Sequence, residues 1–579
     1  MKKKPLTGET FREIIAKNLL YADKTRYIYK MISDYKFCFL SRPRRFGKTL
    51  LIDAVEELFR GNGDLFKGLW INPNCHEGDG KFDFSPLAET NSSYAFQEHP
   101  VIRLNMMAYN RIEKSRRLKD CILEDLRLKA KMEGISLNYE DFGGIQKKLF
   151  QGLIEKYNGA KVAVLVDECD APMANNINNQ TLASKNSVVL ADFYNALKKN
   201  REYIRFSLVT GVTRYPINAT YFGPNMFLDI SLKETFAGIC GFTVTEFDAL
   251  FADRMDGALE ALKSKNQIKP NATVVDLRKE LLELYGGYNW LGPEKILNPY
   301  SIQRFFNELS LDSYWTLSGQ SIRLSTLISR KPMDFIRPKL TSYTTEKITL
   351  SDPEYLDPAA ILFNHGYLTI DRTEMGEIVF TDGQKHSFPL IFLKIPNLEV
   401  KTSYDELCFR AVFNGFYDTL KILGAEFSKA FHGKDSKRMN IIIEKLFGKF
   451  VYWRHIPLEE RYRDISRMAL LAAGFELESE KDWRIGRSDI VVDLMEGRFV
   501  IIAIKYIPVL NDQERDAIMD KELNSALERI GDADYSRSLK RNNPLEIIGL
   551  GIVFYGKDSV KTKFWEGRDL RSPPRAGDA

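Results

Sequence analysis

A short basic turn between two apolar segments is the feature that most constrains the fold of this chain. Phe37–Leu40 is a brief apolar run, and Leu50–Phe59 has the spacing of an amphipathic helix. The turn between them, Arg42–Thr49, contains one glycine followed directly by lysine and threonine. A strand that enters a helix through such a turn presents backbone N–H groups and the positive end of the helix dipole to an anion. The pattern therefore predicts an α/β fold with a phosphate-binding loop.

Phosphate binding assigns a role to the residues of this turn. Gly47 lets the backbone curl around the anion, Lys48 can reach the β- and γ-phosphates, and Thr49 can ligate Mg²⁺. The usual pattern is GxxxxGK[ST], and Arg42 occupies its first glycine position. The alternative is a basic loop that only caps a helix. We assign nucleotide binding to Arg42, Pro43, Arg44, Arg45, Phe46, Gly47, Lys48 and Thr49, with Lys48 also catalytic.

Two carboxylates follow a second apolar run, Val162–Val166. Asp167 is expected to hold Mg²⁺ through its water shell, and Glu168 to orient and deprotonate the attacking water. Such a pair is by itself a common solvated strand end, but its place downstream of the loop in the same α/β pattern favours the functional interpretation. Asp170 is either a third acid of this site or a turn residue before Pro172.

A third buried-strand candidate, Phe206–Thr210, is followed by Thr213 and Arg214. Continuous apolar strands that alternate with helices predict a parallel sheet. In ATPases whose sheet has an additional strand, a polar residue at this position senses the γ-phosphate. Thr213 and Arg214 are therefore added to the nucleotide-binding residues, although Arg214 fits a surface position equally well or could act on a neighbouring subunit's nucleotide.

Composition excludes several classes of protein. Of 579 residues, 44% are hydrophobic and 28% charged, which is ordinary for a globular chain and excludes a mainly disordered one. The 83 basic and 78 acidic residues leave a net charge of +5, too small over this length to indicate nucleic-acid binding. Six scattered cysteines fit reduced thiols. No long apolar stretch appears, so we expect a cytoplasmic protein without a membrane span.

Several segments together resemble the prokaryotic AAA-ATPase-like family over about the first 310 residues. The resemblance implies a P-loop ATPase that uses ATP and Mg²⁺, with a possible homo-oligomeric state. It implies that arginine at position 42, in place of the first loop glycine, is usual in this family. It also implies that Tyr21, Asp23 and Lys24 lie near the nucleotide, with Asp23 and Lys24 in structural roles. The segments are Tyr21–Thr25, Leu40–Thr49, Val166–Pro172, Thr210–Arg214, Cys240–Thr243 and Tyr285–Tyr288.

A second resemblance covers residues from about 440 to 560. Gly486–Val491 and Ile501–Lys505 are similar to the two strands that carry the site of the PD-(D/E)xK nuclease superfamily, and the turn between them predicts a hairpin. The resemblance implies that Asp489 is a metal-binding acid and Lys505 a catalytic lysine. Ala503 occupies the position of the second metal-binding acid.

The missing acid leaves several interpretations open. Mg²⁺ prefers oxygen ligands, which an alanine methyl cannot supply. The domain is a naturally inactive nuclease that binds nucleic acid or packs, or Ala503 is an engineered substitution, or a nearby acid compensates. Asp489 and Lys505 could also be only a buried ion pair. The candidates for compensation are Glu459, Glu460 and Asp493.

The sequence thus predicts four segments: a P-loop ATPase domain (1–250), a mostly helical, winged-helix-like connecting module (251–400), a nuclease-like α/β domain (401–560) and a tail (561–579). DNA or RNA is the expected partner of the nuclease-like domain, in prokaryotic defence or DNA handling. The alternatives are a nucleotide-gated interaction protein and a small-molecule kinase. The basic cluster Arg537, Lys540 and Arg541 is the candidate phosphate contact.

Overall fold

The computed structural model divides the chain into two compact units, Met1–Tyr404 and Asp405–Ala579. It describes all residues except 1–7, 73–93, 111–116, 177–178, 214–225, 316–323, 326, 329–334, 336–341, 350–356, 380–384, 414–416, 448–457, 478–488, 495–496, 509–512, 532–545, 557–558 and 566–579.

A five-stranded parallel sheet forms the centre of the first unit. Its strands are β1 (Phe37–Ser41), β2 (Val101–Asn105), β3 (Val162–Asp167), β4 (Ile204–Gly211) and β5 (Leu228–Asp229). They lie in the order β2-β3-β4-β1-β5, so β4 is inserted between β1 and β3. Because all five strands are parallel, their carboxyl ends meet at one edge, where ligands of open α/β sheets bind.

Helices pack on both faces of this sheet, which explains why β3 is buried along its whole length. Arg103 of β2 points to the helix after the phosphate loop, where its guanidinium is 2.6 Å from Asp53. Ile102, on the opposite face, joins a core with Leu149 and Phe193. The helices are α1 (Phe11–Ala16), α2 (Thr25–Asp34), α3 (Lys48–Phe59), α4 (Leu118–Met132), α5 (Phe142–Lys156), α6 (Ala171–Ala174) and α7 (Gln180–Lys199).

The remainder of the first unit is mostly helical. Capping boxes begin two of its helices: Thr243 with Glu246, and Thr273 with Asp276. Phe251 stacks on Phe306 with ring centroids 4.4 Å apart in an aromatic-rich core. The elements are β6 (Phe242–Thr243), α8 (Val244–Phe251), α9 (Met255–Ser264), α10 (Val274–Tyr285), β7 (Ile296–Leu297), α11 (Pro299–Glu308), α12 (Thr345–Thr349) and α13 (Pro358–Asn364).

One long hairpin interrupts these helices. β8 (Thr369–Val379) pairs with β9 (Lys385–Lys394) in a two-stranded antiparallel sheet. In the sequence, Gly366–Ile370 alone indicates a short hairpin-like piece, and the strands run well beyond it. The side chains of residues 373–377 in β8 are mostly exposed and show neither a buried apolar run nor a regular polar–apolar alternation, so both sequence signals of a strand are missing there.

Glu399, in α14 (Leu398–Phe413), anchors the helical part of this unit. Its buried carboxylate accepts hydrogen bonds from the Ser301 hydroxyl at 2.9 Å and from the N–H groups of Tyr314 at 2.7 Å and Trp315 at 2.9 Å. Burial raises the pKa of Glu399 to about 7, against the lowering effect of these bonds and with a further rise from the charge of Asp312.

The first prediction concerns this buried acid. Between pH 4.5, the ordinary pKa of a glutamate, and about pH 7, Glu399 has lost its proton in the unfolded chain but still holds it in the folded chain. Stability is therefore expected to fall as the pH rises through this window, by at most about 3 kcal/mol. Glu399→Gln cannot titrate and should lack this slope. Denaturation midpoints of both chains from pH 5 to 8 measure the difference, and parallel curves would contradict the assignment.

The second unit contains a mixed five-stranded sheet in the order β10-β11-β12-β13-β14. β12 and β13 are parallel, and the other neighbours are antiparallel. The predicted hairpin of β11 and β12 is confirmed. The elements are α15 (Tyr417–Gly433), α16 (Ser436–Phe447), α17 (Leu458–Ala472), β10 (Glu476–Leu477), β11 (Asp489–Asp493), β12 (Arg498–Ile507), α18 (Arg515–Gly531), β13 (Glu546–Tyr555) and β14 (Ser559–Trp565).

The two faces of this second sheet carry different helices. Tyr462 of α17 stacks on Phe554 with ring centroids 4.0 Å apart, whereas Ala526 of α18 packs in a cluster with Ala503 and Ile501 on the opposite face. Residues 561–565, predicted as tail, belong to β14, because their pairing with β13 completes the sheet edge. In the described part of the chain, no helix is long and apolar enough to cross a membrane.

The predicted α/β fold, with a parallel sheet, many helices and a second α/β domain, is confirmed. The sequence correctly indicated β1, β3 and β4 as buried strands. It gave no signal for β2, in which Arg103 interrupts the apolar run.

Candidate nucleotide site

The phosphate loop lies between the end of β1 and the start of α3. Gly47 has φ 93° and Arg45 has φ 67°, so the backbone turns through the left-handed region twice. That region suits glycine and strains arginine. No side chain caps α3, and the Leu51 N–H donates to Gly47 O at 2.9 Å. The first N–H groups of α3 are therefore available to an anion.

Lys48 is buried inside the curl of this loop. Its ammonium donates to the carbonyl oxygens of Arg42 at 3.0 Å and of Pro43 at 3.2 Å. Both acceptors are neutral and belong to the loop itself. A phosphate oxygen, as a charged acceptor, would form the stronger bond with the same ammonium.

The loop and the acidic strand end meet at Asp167, which is fully buried. The Thr49 hydroxyl donates to its Oδ2 at 2.8 Å, the Thr210 hydroxyl to its Oδ1 at 2.7 Å, and the Glu168 N–H to Oδ1 at 3.0 Å. Three donors from three segments thus hold one carboxylate. The direct contact with Thr49 brings the two sequence motifs together in space.

Glu168 lies beside this carboxylate with φ 51°, a left-handed conformation that is unfavourable for glutamate. Burial raises the pKa of Glu168, the ammonium of Lys48 lowers it, and the carboxylates of Asp170 and Asp167 raise it further. The net effect is a pKa above the ordinary value. A carboxylate with a raised pKa is a stronger base than an ordinary glutamate, which suits a proton-accepting role.

Glu168, Lys48 and Thr49 are among the residues that line a cavity of about 610 Å³. The cavity is also lined by residues that the sequence did not indicate as part of the site. Tyr300 and Gln303 of α11 are among them, and the Arg45 guanidinium lies 3.7 Å from the centroid of the Tyr300 ring. The only signal was the Asn-Pro-Tyr punctuation that opens α11.

The other proposed site residues lie at the margin of this cavity or outside it. Asp170 accepts from Val212 N–H at 2.9 Å and from the Thr213 hydroxyl at 3.3 Å, so it braces the end of β4. Thr213 thus contacts Asp170, whereas Thr210 contacts the Mg²⁺-binding candidate Asp167. Thr210 lies near the end of β4, and Thr213 lies three residues further along the chain, just beyond the strand. The sequence could not show which of the two threonines contacts Asp167. Arg214 lies outside the described residues.

Arg42 does not point into the cavity. Its buried guanidinium donates to the carbonyl oxygens of Ser41 at 2.9 Å, Ser231 at 2.8 Å and Phe236 at 3.1 Å. Burial lowers the pKa of Arg42 to about 10, which the charges of Cys240 and Asp229 partly offset. Arg42 therefore contributes to the cradle through its backbone and its bracing of the loop.

Tyr21 and Lys24 line the cavity, as the family resemblance implied. The Lys24 ammonium pairs with Glu246 at 2.6 Å. Asp23 accepts from the N–H groups of Thr25 at 2.9 Å and Trp70 at 2.6 Å. Both charged side chains thus have structural partners.

The donor set fits Mg²⁺ bound together with a nucleotide. In the described residues no group of three or more His, Cys, Asp or Glu side chains could hold a metal ion. Mg²⁺ at phosphate sites keeps several waters and takes oxygen atoms from the phosphates, so one hydroxyl and one carboxylate suffice. Thr49 and Asp167 supply that pair.

In the second unit, Asp489 of β11 pairs directly with Ala503 of β12. Lys505 lies two residues further on the same face and is half-buried. Ala503 is fully buried in an apolar cluster with Val491 and Leu527. The structure therefore places the three motif positions side by side, and the position of the second acid is filled by a methyl group.

Compensation by Asp493 does not fit this geometry. Asp493 pairs with Phe499 and lies four residues from Asp489 along β11, which is about 13 Å. Carboxylates this far apart on one straight strand cannot ligate one Mg²⁺ ion. The side chains of Glu459 and Glu460, and the whole cluster of Arg537, Lys540 and Arg541, lie outside the described residues.

Two family models match the chain. Residues 5–219 match a family described as "Predicted AAA-ATPase", and residues 458–564 match the PD-(D/E)XK nuclease superfamily. The chain is also similar to an "Uncharacterized protein in vnfD 5'region" of Azotobacter chroococcum mcd 1, with 26% identity over 570 residues, 96% of this chain and 97% of the relative. Both resemblances inferred from the sequence are confirmed: the chain carries an AAA-ATPase-like domain and a C-terminal PD-(D/E)XK nuclease superfamily domain.

The second prediction separates the two threonines of β4 and its following turn. Thr210→Val removes the hydroxyl that orients Asp167, and loss of such a supporting bond typically costs about 10–100-fold in metal affinity or activity. We expect ATP hydrolysis to fall by this factor and the Mg²⁺ concentration for half-maximal rate to rise. Thr213→Val, the matched control, loses only its bond to Asp170. An equal or larger defect in Thr213→Val would contradict the assignment.

Proposed function

We propose that the N-terminal unit binds ATP with Mg²⁺ and hydrolyses it. The observation that carries this proposal is the hydrogen bond of 2.8 Å between Thr49 and Asp167, next to a cavity that Lys48 and Glu168 line. The candidate phosphate loop, magnesium-binding acid and base would thus act together at one edge of the sheet. The match of residues 5–219 to the predicted AAA-ATPase family supports the same activity.

Each residue has a distinct task in the proposed reaction. Lys48 would exchange its two loop carbonyls for β- and γ-phosphate oxygens, and the first N–H groups of α3 would bind the phosphates. Thr49 would ligate Mg²⁺ through its hydroxyl, and Asp167 would act through the water shell of the ion. Glu168 would accept a proton from the attacking water at its carboxylate. Bound Mg²⁺ would neutralise the charge that develops on the phosphates.

We propose that the C-terminal domain binds DNA or RNA without cutting it. Ala503 supports this proposal. It is fully buried and is paired with Asp489, and its methyl group provides no oxygen to a divalent ion. The whole chain would then be an ATPase whose nucleotide state governs a nucleic-acid-binding domain in prokaryotic nucleic-acid handling. For the C-terminal domain, this corresponds to the alternative given in the sequence analysis, a nucleotide-gated protein whose C-terminal domain only binds.

The third prediction tests the ATPase. Lys48→Ala loses charge-assisted bonds to phosphate, worth about 1.5–3 kcal/mol, and should weaken nucleotide binding about 10–100-fold. Glu168→Gln should keep binding and reduce turnover by about 10²–10⁴-fold, since a positioned base contributes that much. Titration with a fluorescent ATP analogue measures binding, and release of inorganic phosphate measures turnover.

Lys36→Ala is the matched control, because Lys36 precedes β1 at the opposite end of the strand and donates only to Arg201 O at 2.7 Å in the bonds observed. Unchanged nucleotide binding in Lys48→Ala would overturn the proposal. Transfer of phosphate to an added acceptor in place of release to water would indicate a kinase.

The fourth prediction tests the nuclease-like domain. Ala503→Glu restores a carboxylate opposite Asp489, and we expect Mn²⁺ or Mg²⁺ to raise its melting temperature and to permit cleavage of DNA or RNA. Ala503→Gln is the matched control, because it has the same size and burial but no charge. The wild-type chain should bind nucleic acid and leave it intact.

Three outcomes would contradict this part of the proposal. Metal-dependent cleavage by the wild-type chain would show a compensated active site. Absence of nucleic-acid binding by the wild-type chain would reduce the domain to a structural role. If metal changes the melting temperature and the cleavage activity of Ala503→Glu and Ala503→Gln equally, the missing carboxylate at position 503 is not the reason that the site is inactive.

A further inference from the structure

The side chains of the phosphate loop contact a group of aromatic residues from the helical part of the first unit, which we call the aromatic block (Tyr288, Trp290, Tyr300 and Trp315). The buried ring of Phe46 lies 4.8 Å from Tyr288 at 77° and 5.1 Å from Trp290 at 83°. Tyr288 and Trp290 stack on each other with ring centroids 5.8 Å apart. These edge-to-face and stacked pairs fix the loop against the block.

Two further loop residues reach the same block, and a third, Pro43, reaches Gly366 beside it. The Arg42 guanidinium lies 4.4 Å from the Trp290 ring centroid and that of Arg45 lies 3.7 Å from the Tyr300 centroid. Pro43 abuts Gly366, where an added Cβ would lie 2.9 Å from the Pro43 Cβ and 2.9 Å from Trp315 Cη2. The GxxxxGK[ST] pattern requires none of these contacts, because its fixed positions serve the phosphates through backbone and lysine.

Phosphate binding must disturb these attachments. The Lys48 ammonium is held by the carbonyl oxygens of Arg42 and Pro43, at 3.0 and 3.2 Å. A phosphate that draws this ammonium away removes the donor from two loop residues whose side chains press on Trp290 and Gly366. The strained φ of 67° at Arg45 lies between them and Gly47. The loop is therefore expected to change its conformation when phosphate binds. Because its side chains contact the aromatic block, such a change would also move the block.

The block in turn is bonded to the base of the β8–β9 hairpin. The Tyr288 hydroxyl donates to Gly366 O at 3.2 Å. The Asn289 N–H donates to the Thr369 hydroxyl at 2.8 Å, and the same hydroxyl donates to the Asn289 carbonyl oxygen at 3.3 Å. Thr369 is the first residue of β8. A continuous set of contacts thus runs from Lys48 to the hairpin within one compact unit.

We propose that the aromatic block is a sensor of nucleotide state that transmits the occupancy of the phosphate loop to the β8–β9 hairpin. The proposal rests on the nucleotide binding proposed above and adds its regulatory output. Nucleotide phosphates shift Lys48, the loop moves Trp290 and Gly366, and Asn289 passes the change to Thr369. The hairpin is the element whose exposure to solvent or to a partner then depends on nucleotide.

Tryptophan fluorescence tests the first step. The full chain is titrated with ADP and with a non-hydrolysable ATP analogue, each with Mg²⁺, while nucleotide binding is measured separately by calorimetry. We expect a saturable change of emission at the concentrations that fill the site, lost in Trp290→Phe. Trp70→Phe is the matched control, because Trp70 packs on Tyr29 away from the block and should keep the signal.

The two measurements separate the possible failures. Nucleotide binding without an emission change, or a change that survives in Trp290→Phe, overturns the sensor and leaves the ATPase proposal intact. Absence of calorimetric binding overturns the ATPase proposal and the sensor with it. A Trp290→Phe chain that does not fold is replaced by Tyr288→Phe, which keeps the stacked ring and removes the hydroxyl bond to Gly366.

Hydrogen exchange tests the second step, from the block to the hairpin. We expect the amides of residues 369–379 and 385–394 to change their exchange rates when the ATP analogue binds to the wild-type chain. Thr369→Val breaks the bonds to Asn289 and should keep the Trp290 signal while losing the exchange change. Hairpin exchange that ignores nucleotide in the wild-type chain, or that responds equally in Thr369→Val, contradicts this route.

Discussion

The Asp167 carboxylate is buried at the edge of the parallel sheet, where it accepts hydrogen bonds from Thr49, Thr210 and the backbone of Glu168. A buried carboxylate without such donors would carry a large desolvation cost. The donors come from α3, from β4 and from the chain just after β3, so the acid is satisfied only when the strand order is complete. The insertion of β4 between β1 and β3 is thus a requirement of the site as well as of the fold. The same arrangement brings the Thr49 hydroxyl, the Asp167 carboxylate and Glu168 together, as the proposed Mg²⁺ and proton-acceptor roles require.

Arginine in place of the first loop glycine changes how the loop is held. The Arg42 side chain bonds to carbonyl oxygens of residues 231 and 236, and its guanidinium lies over the Trp290 ring. Burial of a guanidinium costs free energy that these contacts offset. The loop is therefore braced by the helical part of the same unit, which gives a physical basis for communication between nucleotide and the elements beyond it.

The C-terminal domain shows that a nuclease-like fold and a nuclease site have separate physical requirements. The β11–β12 hairpin and α18 are held by apolar packing, to which Ala503 contributes as a small buried residue. The backbone partner of Asp489 is Ala503, whose methyl group offers no oxygen to a divalent ion. An alanine at this position therefore supplies no metal ligand while it still contributes to the packing that folds the domain.

The sequence by itself determined the elements that depend on neighbours along the chain: the strand, turn and helix around Gly47, the carboxylates after β3, and the β11–β12 hairpin. Periodicity and turn residues are local, so they can be recognised without a structure. Only the tertiary structure decided that Thr210 rather than Thr213 contacts Asp167, that Tyr300 faces the cavity, and that Asp493 is too far from Asp489 to replace the missing acid. These results depend on distances between segments far apart in sequence, which side-chain packing and strand order set and local patterns do not encode.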